Sequence, residues 1–218
     1  MTDYGLCIPG CELCEGLGFI RNDSGELVGC KNNPRRYNGS GVTADDVALY
    51  RILPKSQAIA RAMAAFDKLI KDRYGLMYFS GNPGTGKTVC SRAYTAAAID
   101  AGFKALYIRQ SEMVNYLRSS YDADKGQLEY QARLDKFKAV EWLVIDEIGR
   151  DRMTDFAQES MAEIVDSRYT SAIKQQKVTV LVSNFMPEQV FQDYLVDRIR
   201  DSRNTILDIQ SKSLRGKK

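Results

Sequence analysis

The stretch GNPGTGKT, residues 81–88, decides how the rest of the chain is interpreted. It fits the phosphate-binding-loop pattern of Gly, any four residues and then Gly-Lys-Ser/Thr. The short apolar run GLMYFS (75–80) precedes it, and the helix-favouring run VCSRAYTAAAIDAG (89–102) follows it. A strand, a glycine-rich turn and a helix, in that order, form the context that the pattern requires. The sequence therefore predicts a loop that cradles phosphate groups.

Each residue type in this loop suits a phosphate ligand. Glycines let the backbone fold around phosphate without side-chain obstruction, and amides at a helix N-terminus attract anions. We expect Lys87 to reach the β and γ phosphates of ATP and the Thr88 hydroxyl to ligate Mg²⁺. The alternative is a glycine-rich turn that contains Lys-Thr by chance. The predicted nucleotide-binding residues are Gly81, Asn82, Pro83, Gly84, Thr85, Gly86, Lys87, Thr88 and Val89.

A second motif, LVIDE (143–147), supplies two carboxylates. Its apolar run predicts a strand that carries Asp146 and Glu147 at its carboxyl end, the usual ligand edge of an open α/β sheet. We expect Asp146 to hold Mg²⁺ and Glu147 to activate the attacking water, since the chain contains no histidine. The GTPase pattern Asp-x-x-Gly is also satisfied, but the chain lacks the Asn-Lys-x-Asp segment that reads guanine. ATP is therefore favoured, and a small-molecule kinase stays open as an alternative.

Apolar segments alternate with helical ones from residue 74 onward, which predicts an α/β fold with a parallel sheet flanked by helices. The predicted strands cover residues 75–80, 104–109, 140–147 and 177–184. The last strand ends in Asn184, whose amide could contact the γ phosphate or the lytic water. A turn or helix-capping role for Asn184 stays open. After the second strand, Ser111 is the expected N-cap of a helix.

Composition narrows the function classes further. The 218 residues carry a net charge of +3, too small to indicate a nucleic-acid binder by itself. The absence of histidine excludes a Ser-His-Asp triad and a His-Glu-x-x-His zinc protease. No apolar run approaches the roughly 20 residues that cross a bilayer, so no membrane partner is expected. The start MTDYGLC does not resemble a signal peptide, so we expect a cytoplasmic location, where thiols stay reduced.

Four of the five cysteines lie in the first thirty residues: Cys7, Cys11, Cys14 and Cys30. Closely spaced thiolates with a distant fourth suit tetrahedral Zn²⁺. A Cys-x-x-Cys redox pair and four unliganded thiols are the alternatives. The expected organisation is a zinc-binding module over 1–40, a helical linker over 41–73 and a nucleotide-binding domain over 74–218; the resemblance described next implies that the first module contacts a helicase and that the last is an AAA+ ATPase domain.

The motifs together resemble the AAA+ ATPases, and more narrowly the DnaC-type and IstB-type branch of helicase loaders and transposition helpers. The resemblance covers roughly residues 55–215 and is carried by GNPGTGKT, SEMVNYLRSSY, WLVIDEIG, VTVLVSN and LVDRIRDSRNTILDIQSKSLR. It implies that Arg198, with Arg200 as competitor, is an arginine finger that acts on a neighbouring subunit's ATP. It also implies that Arg215 senses nucleotide within its own subunit. The catalytic residues would be Lys87, Glu147, Asn184 and Arg198.

Zinc loops of related loaders resemble the segment CELCEGLG (11–18), but Asn32 stands where a second late cysteine would be. Cys7 is then inferred to replace that ligand. The resemblance implies a loader that places a replicative helicase hexamer on single-stranded DNA, with ATP as a switch and self-association through the arginine finger. An IstB-like helper that recruits a transposase is one alternative. A nucleotide-gated binding module with negligible hydrolysis is another.

Overall fold

A computed structural model gives the fold, with seven strands and six α-helices in the part of the chain that it describes. The described residues are 11–13, 15, 19–21, 27–30, 37–43, 45–46, 56–120, 126–151 and 153–214. The strands are β1 (Phe19–Arg21), β2 (Leu27–Gly29), β3 (Gly75–Gly81), β4 (Ala105–Arg109), β5 (Trp142–Ile148), β6 (Val178–Ser183) and β7 (Thr205–Ile209). The helices are α1 (Gln57–Asp72), α2 (Lys87–Asp100), α3 (Gln110–Arg118), α4 (Gly126–Ala139), α5 (Asp155–Gln175) and α6 (Asp193–Arg200).

Five of the strands form one parallel sheet in the order β4-β5-β6-β3-β7. The phosphate-loop strand β3 and the carboxylate strand β5 are separated by β6. Because all five strands run in the same direction, their carboxyl ends meet at one edge. The predicted α/β fold with a parallel sheet flanked by helices is confirmed.

The helices cover both faces of this sheet. Helices α1 and α2 pack on one face, around buried aromatic side chains that include Phe66, Phe79 and Trp142. Helices α3, α4, α5 and α6 pack on the other face, over Leu143, Ile145 and their neighbours. The strands are buried on both sides, which explains why β5 and β6 read as continuous apolar runs.

Two helix starts show how local chemistry sets the boundaries. Helix α1 begins after Ser56, whose hydroxyl accepts the Ile59 amide at 3.2 Å. Helix α3 begins at Gln110 rather than after Ser111, so the predicted N-cap is wrong. The cause is Glu112, whose carboxylate accepts the Arg109 amide at 3.2 Å. Arg109 is therefore the N-cap, two residues before the predicted one.

One fully buried arginine ties several elements together. Arg168 of α5 is 0% exposed, and its guanidinium donates hydrogen bonds between 2.5 and 3.3 Å. Burial lowers the pKa of Arg168 to about 9, and six oxygen acceptors support the charged form at neutral pH. These acceptors lie at the end of α4 and at the starts of β5 and β6: the carbonyls of Phe137, Lys138, Val140, Glu141 and Val178, and the Thr179 hydroxyl.

Strands β1 and β2 pair antiparallel as a short hairpin in the cysteine-rich region. Further along, residues 37–43 and 45–46, here called the strap, lie against the five-stranded sheet. The Ser40 carbonyl accepts the Tyr107 amide of the outer strand β4 at 2.6 Å, and the Tyr37 hydroxyl donates to Asp100 at 3.0 Å. Among the described helices, none is long and apolar enough to span a membrane.

Candidate nucleotide-binding site

The predicted phosphate loop lies between β3 and α2, as the sequence pattern requires. Gly81, Gly84 and Gly86 have φ of 139°, 79° and 92°, which favour glycine. At Gly81 a Cβ would lie 2.2 Å from the Ile209 carbonyl oxygen, so no side chain fits there. The amides of the loop and the N-terminus of α2 form the kind of concave surface that binds phosphate.

Lys87 folds back over this loop. Its ammonium donates to the carbonyls of Gly81 at 2.7 Å and Asn82 at 2.8 Å, and the residue is 6% exposed. Thr88, the next residue, is exposed on the first turn of α2. A lysine within the loop and a hydroxyl beside it are the residue types expected to supply positive charge and a metal ligand to a nucleoside triphosphate with Mg²⁺. These two roles stay predictions.

Asp146 lies at the end of β5 and is 2% exposed. Its Oδ2 accepts the Tyr107 hydroxyl at 2.6 Å, and its Oδ1 accepts the Glu147 amide at 2.6 Å. Burial, and then the charge of Asp146, raise the pKa of Tyr107 further above its usual value, so the hydroxyl stays protonated and donates a hydrogen bond to the carboxylate.

Glu147, the next-to-last residue of β5, has a left-handed conformation, with φ of 57°. The pairing of β5 with β6 is irregular at this point, between Ile145 and Ile148. The Glu147 carboxylate pairs with Arg150 at 2.7 Å and lies 3.8 Å from the Arg109 guanidinium. The proposed base is therefore held by two cations in this conformation.

The turn after β5 is locked by Gln110, which sequence reasoning missed. Gln110 is 4% exposed, and its Oε1 accepts the Gly149 amide at 2.9 Å. At Gly149 a Cβ would lie 2.9 Å from the Val190 side chain, so the turn also needs glycine. Gln110 directly follows β4, and the sequence offers no signal that separates it from a polar helix start.

At the end of the neighbouring strand β6, the side chain that makes the hydrogen bonds of the turn is Ser183. Its hydroxyl donates to the Ile148 carbonyl at 2.7 Å and accepts the Phe185 amide at 3.0 Å. Asn184 is exposed at the same edge of the sheet as Asp146. Its role in contacting phosphate or water stays a prediction.

The segment after β7 crosses the phosphate loop. The Leu214 amide donates to the Gly84 carbonyl at 2.8 Å, and the Asn82 side-chain amide donates to the Ser211 carbonyl at 3.4 Å. Arg215, the predicted sensor of nucleotide, lies outside the described residues. Its chain neighbour Leu214 is in direct contact with the loop.

The two candidate finger residues lie on α6 and are both engaged within the chain. Arg198 pairs with Asp166 of α5 at 3.1 Å and lies over the rings of Tyr169 and Tyr194 at 5.4 and 5.3 Å. Arg200 pairs with Glu188.

Of the predicted zinc ligands, the structure describes Cys11 and Cys30. Both are buried, neither forms a disulfide, and their sulfurs lie 3.7 Å apart. Cys7 and Cys14 lie outside the described residues. Within the described part of the chain, no three metal-ligating side chains come together.

Most of the chain matches a known protein family. The family described as IstB-like ATP binding protein matches residues 56–218. The uncharacterized protein YdaV of Escherichia coli (strain K12) is 30% identical over 114 residues, which are 52% of this chain and 44% of YdaV. A protein of insertion sequence IS5376 from Geobacillus stearothermophilus, named as ATP-binding, is 31% identical over 101 residues, 46% of this chain and 39% of that protein. The chain thus spans less than half the length of these curated relatives.

Solved structures share the fold at lower identity. The DnaC helicase loader superposes with a TM-score of 0.59 at 21% identity, covering 81% of this chain and 99% of that one. The replication initiator DnaA, bound to AMPPCP and single-stranded DNA, gives 0.62 at 17% identity, covering 75% of this chain and 50% of DnaA. Both neighbours are AAA+ proteins. With three quarters of its length matched by the family and a phosphate loop in place, the chain belongs to the IstB-like ATP-binding proteins.

Proposed function

We propose that the protein is an ATP-dependent loader that places a replicative DNA helicase hexamer on single-stranded DNA in the cytoplasm. The observation that carries the proposal is the cysteine-rich segment 7–30, which contains the paired strands β1 and β2 and is here called the cysteine hairpin. The strap follows it in the chain and joins it to the IstB-like nucleotide-binding domain. In this proposal residues 1–40 grip the helicase, residues 41–73 link, and residues 74–218 bind nucleotide and DNA. The fold shared with the DnaC helicase loader supports the ATPase part.

ATP is the switch in this proposal, and hydrolysis resets it. The phosphate loop, with Lys87, would hold the phosphates, and Thr88 and Asp146 would hold Mg²⁺, which supplies charge neutralisation during phosphoryl transfer. Glu147 would orient the attacking water once its carboxylate leaves Arg150 and Arg109. A carboxylate engaged by two guanidinium groups is not available to orient water, so the pairing supports a resting state of low hydrolysis.

Oligomerisation would complete the site. Arg198 is the proposed finger because it matches the Asp-Arg-x-Arg segment that the resemblance implies; it is about one third exposed and pairs with Asp166. A partner's triphosphate would compete for the guanidinium, since it offers more negative charge than a single carboxylate. Arg215 is proposed to contact nucleotide in its own subunit, supported by the contact of Leu214 with Gly84.

Single-stranded DNA is proposed to lie along α3 and α4. On this surface the Arg133 guanidinium lies 4.7 Å from the centre of the Tyr116 ring, and the Lys136 ammonium donates to the Tyr116 hydroxyl at 3.0 Å. Cations beside an aromatic ring are the usual means of holding a nucleic-acid strand by charge and stacking.

We also propose that the cysteine hairpin binds Zn²⁺ through Cys7, Cys11, Cys14 and Cys30. Zn–S bonds of about 2.3 Å in a tetrahedron place two sulfurs about 3.8 Å apart, whereas a disulfide needs about 2.05 Å. The distance of 3.7 Å between Cys11 and Cys30 fits the metal geometry.

Zinc content of purified variants tests this site. Cys11→Ser should lose the metal, and Cys7→Ser decides whether Cys7 is the fourth ligand. Cys90→Ala is the matched control, because Cys90 is buried in α2, where burial raises the pKa of its thiol to about 12. Unchanged zinc content in Cys11→Ser would overturn the zinc proposal.

Co-purification with the cognate replicative helicase, with and without ATP, tests the loader proposal. The full chain should retain the helicase, and a chain that lacks residues 1–36 but keeps the strap should lose it while still binding ATP. Lys87→Ala is the matched control, since it removes nucleotide binding and leaves the cysteine hairpin unchanged. Retention of the helicase by the shortened chain would contradict the assigned role of the hairpin.

A transposition helper is the second candidate, and the IS5376 relative favours it. In that case the protein would retain a transposase bound to duplex DNA and would not retain the helicase. The same co-purification, run with both partners, separates the two functions. A nucleotide-gated binding module is the third candidate, supported by the pairing of Glu147. Equal phosphate release by Glu147→Gln and the unmodified protein would favour it.

A further inference from the structure

The carboxylate of Asp146 is fixed through both of its oxygens. The Tyr107 hydroxyl and the Glu147 amide each donate to one oxygen at 2.6 Å. Each oxygen keeps a second lone pair that a metal ion or its bound water can use. The Glu147 amide belongs to the same chain segment, so Tyr107 is the donor that another strand contributes.

The register of the sheet explains how Tyr107 reaches this carboxylate. In the parallel pairing of β4 with β5, Tyr107 lies opposite Val144, and Arg109 lies opposite Asp146. Val144 and Asp146 are two residues apart and therefore share a face of the sheet. A tyrosine ring is long enough to span this diagonal, which shorter side chains at the same position could not do.

Tyr107 is itself held by the P-loop helix and the strap. The Arg92 guanidinium of α2 lies 5.0 Å from the centre of the Tyr107 ring, and it donates two hydrogen bonds of 2.8 Å to the Asp46 carboxylate. The Tyr107 amide donates to the Ser40 carbonyl at 2.6 Å. At Gly41 a Cβ would lie 1.9 Å from the Tyr107 carbonyl oxygen, so the strap approaches closely enough to require glycine.

The geometry points to Tyr107 as a positioning residue for the metal-binding carboxylate, with the strap and Arg92 setting where Tyr107 lies. The strap begins seven residues after Cys30, so the chain segment that carries the cysteine hairpin also contacts the support of the proposed magnesium site. The inference rests on the proposed Mg²⁺–ATP site and assigns two further components to it. In this inference the strap helps to position the carboxylate that binds the metal, in addition to linking the cysteine hairpin to the rest of the chain.

Tyr107→Phe tests the hydroxyl without removing the ring. The affinity of the full chain for a fluorescent ATP analogue is measured in EDTA and across a Mg²⁺ titration. We expect the Mg²⁺ midpoint to rise roughly tenfold, the usual size for loss of a partner that orients a metal ligand. The affinity in EDTA should stay at the value of the unmodified protein.

Tyr94→Phe is the matched control. Tyr94 is also buried on the α2 face of the sheet, and its hydroxyl also donates to a carboxylate, that of Asp67 at 3.1 Å. Loss of this hydroxyl should leave the Mg²⁺ midpoint unchanged.

Asp46→Asn tests the strap by weakening its pair with Arg92. The Mg²⁺ midpoint should rise in the same direction but only about two- to threefold, because Asp46 acts on Asp146 through two other side chains. Tyr37→Phe is the control within the strap, since the Tyr37 hydroxyl bonds Asp100 and not the Arg92–Tyr107 pair.

Two results would overturn the inference. One is a Tyr107→Phe protein whose Mg²⁺ midpoint equals that of the unmodified chain. The other is an equal loss of affinity in EDTA and in Mg²⁺, which would assign Tyr107 a structural role only. An unmodified chain that binds no nucleotide would instead overturn the ATP site on which the inference depends. Failure to bind a helicase leaves the inference unaffected.

Discussion

Two arginines that contact helix α5 behave in opposite ways. Arg168 lies within the helix, is fully buried, and donates to six oxygens without any carboxylate partner. Arg198 comes from α6, is about one third exposed, and pairs with Asp166 only two residues away from Arg168. An arginine therefore connects several buried elements of the fold at position 168, whereas at position 198 it forms a partly exposed ion pair.

The difference follows from the dielectric environment. A buried guanidinium cannot return to water without leaving several carbonyls unpaired, so its contacts persist as long as the fold does. An exposed ion pair costs little to break, since water replaces both partners. We infer that Arg198 is free to change partners when a nucleotide of a neighbouring subunit is present, whereas Arg168 is not.

The largest expected effect is that of Arg168→Met. Loss of the guanidinium leaves the carbonyls at the end of α4 and at the starts of β5 and β6 without donors. We expect the free energy of unfolding to fall by about 3–5 kcal/mol, measured by urea denaturation, because each buried carbonyl left unpaired costs about 1–3 kcal/mol and water reaches some of them. Arg168→Lys should recover part of this loss, because one ammonium reaches fewer of the six acceptors. A stable Arg168→Met protein would show that the contacts are replaceable by packing alone.

The second effect is on catalysis. Arg198→Ala should lower steady-state ATP hydrolysis about 100-fold in the proposed oligomer, because the proposed finger would no longer supply positive charge to the transferring phosphoryl group. The urea midpoint should stay unchanged, in contrast with the Arg168 variant. Arg200→Ala is the matched control on the same helix, since Arg200 pairs with Glu188. A larger loss in Arg200→Ala would reassign the finger to that residue.

A smaller effect is expected from the other exposed pair. Arg150→Ala removes the closer of the two cations that hold Glu147, at 2.7 Å, and leaves the more distant Arg109 at 3.8 Å. Basal hydrolysis should rise roughly two- to threefold, in keeping with the weakness of exposed ion pairs. Unchanged or reduced phosphate release would indicate that Arg150 does not restrain the carboxylate.

The smallest effect is expected from Asp166→Asn, which releases Arg198 without removing it. The protein concentration needed for half-maximal hydrolysis should fall about twofold, because the finger no longer has to leave an acidic partner. Combination with Arg198→Ala should abolish the gain. A gain that survives in the double variant would mean that Asp166 acts by another route.

The comparison also shows which features a sequence can predict. The phosphate loop is a contiguous pattern in a required strand–turn–helix context, so its place between β3 and α2 was predictable from residues 75–102. Arg168 gives no such signal, since an arginine in an amphipathic helix ordinarily faces water. Its acceptors lie in three other elements and become adjacent only when the chain is folded.

In the candidate site, too, some residues were predictable from the sequence and others were not. Asp146 and Glu147 were predictable because an apolar run delivers them to the sheet edge, but their partners were not. Tyr107 reads as an ordinary strand aromatic, and only the register with β5 brings its hydroxyl to Asp146. The three-residue strands β1 and β2 are too short to show a periodic pattern, so the cysteine region reads as loops.

The contact between the strap and β4 also bears on solubility. An outer strand presents unpaired amides and carbonyls to any extended chain that approaches it, which is a common origin of aggregation. The Ser40 carbonyl occupies the Tyr107 amide and thereby blocks one such position on β4. A fragment that begins at the family-matched residue 56 would lose this cover, and we expect it to aggregate where a fragment that begins at residue 37 stays dispersed.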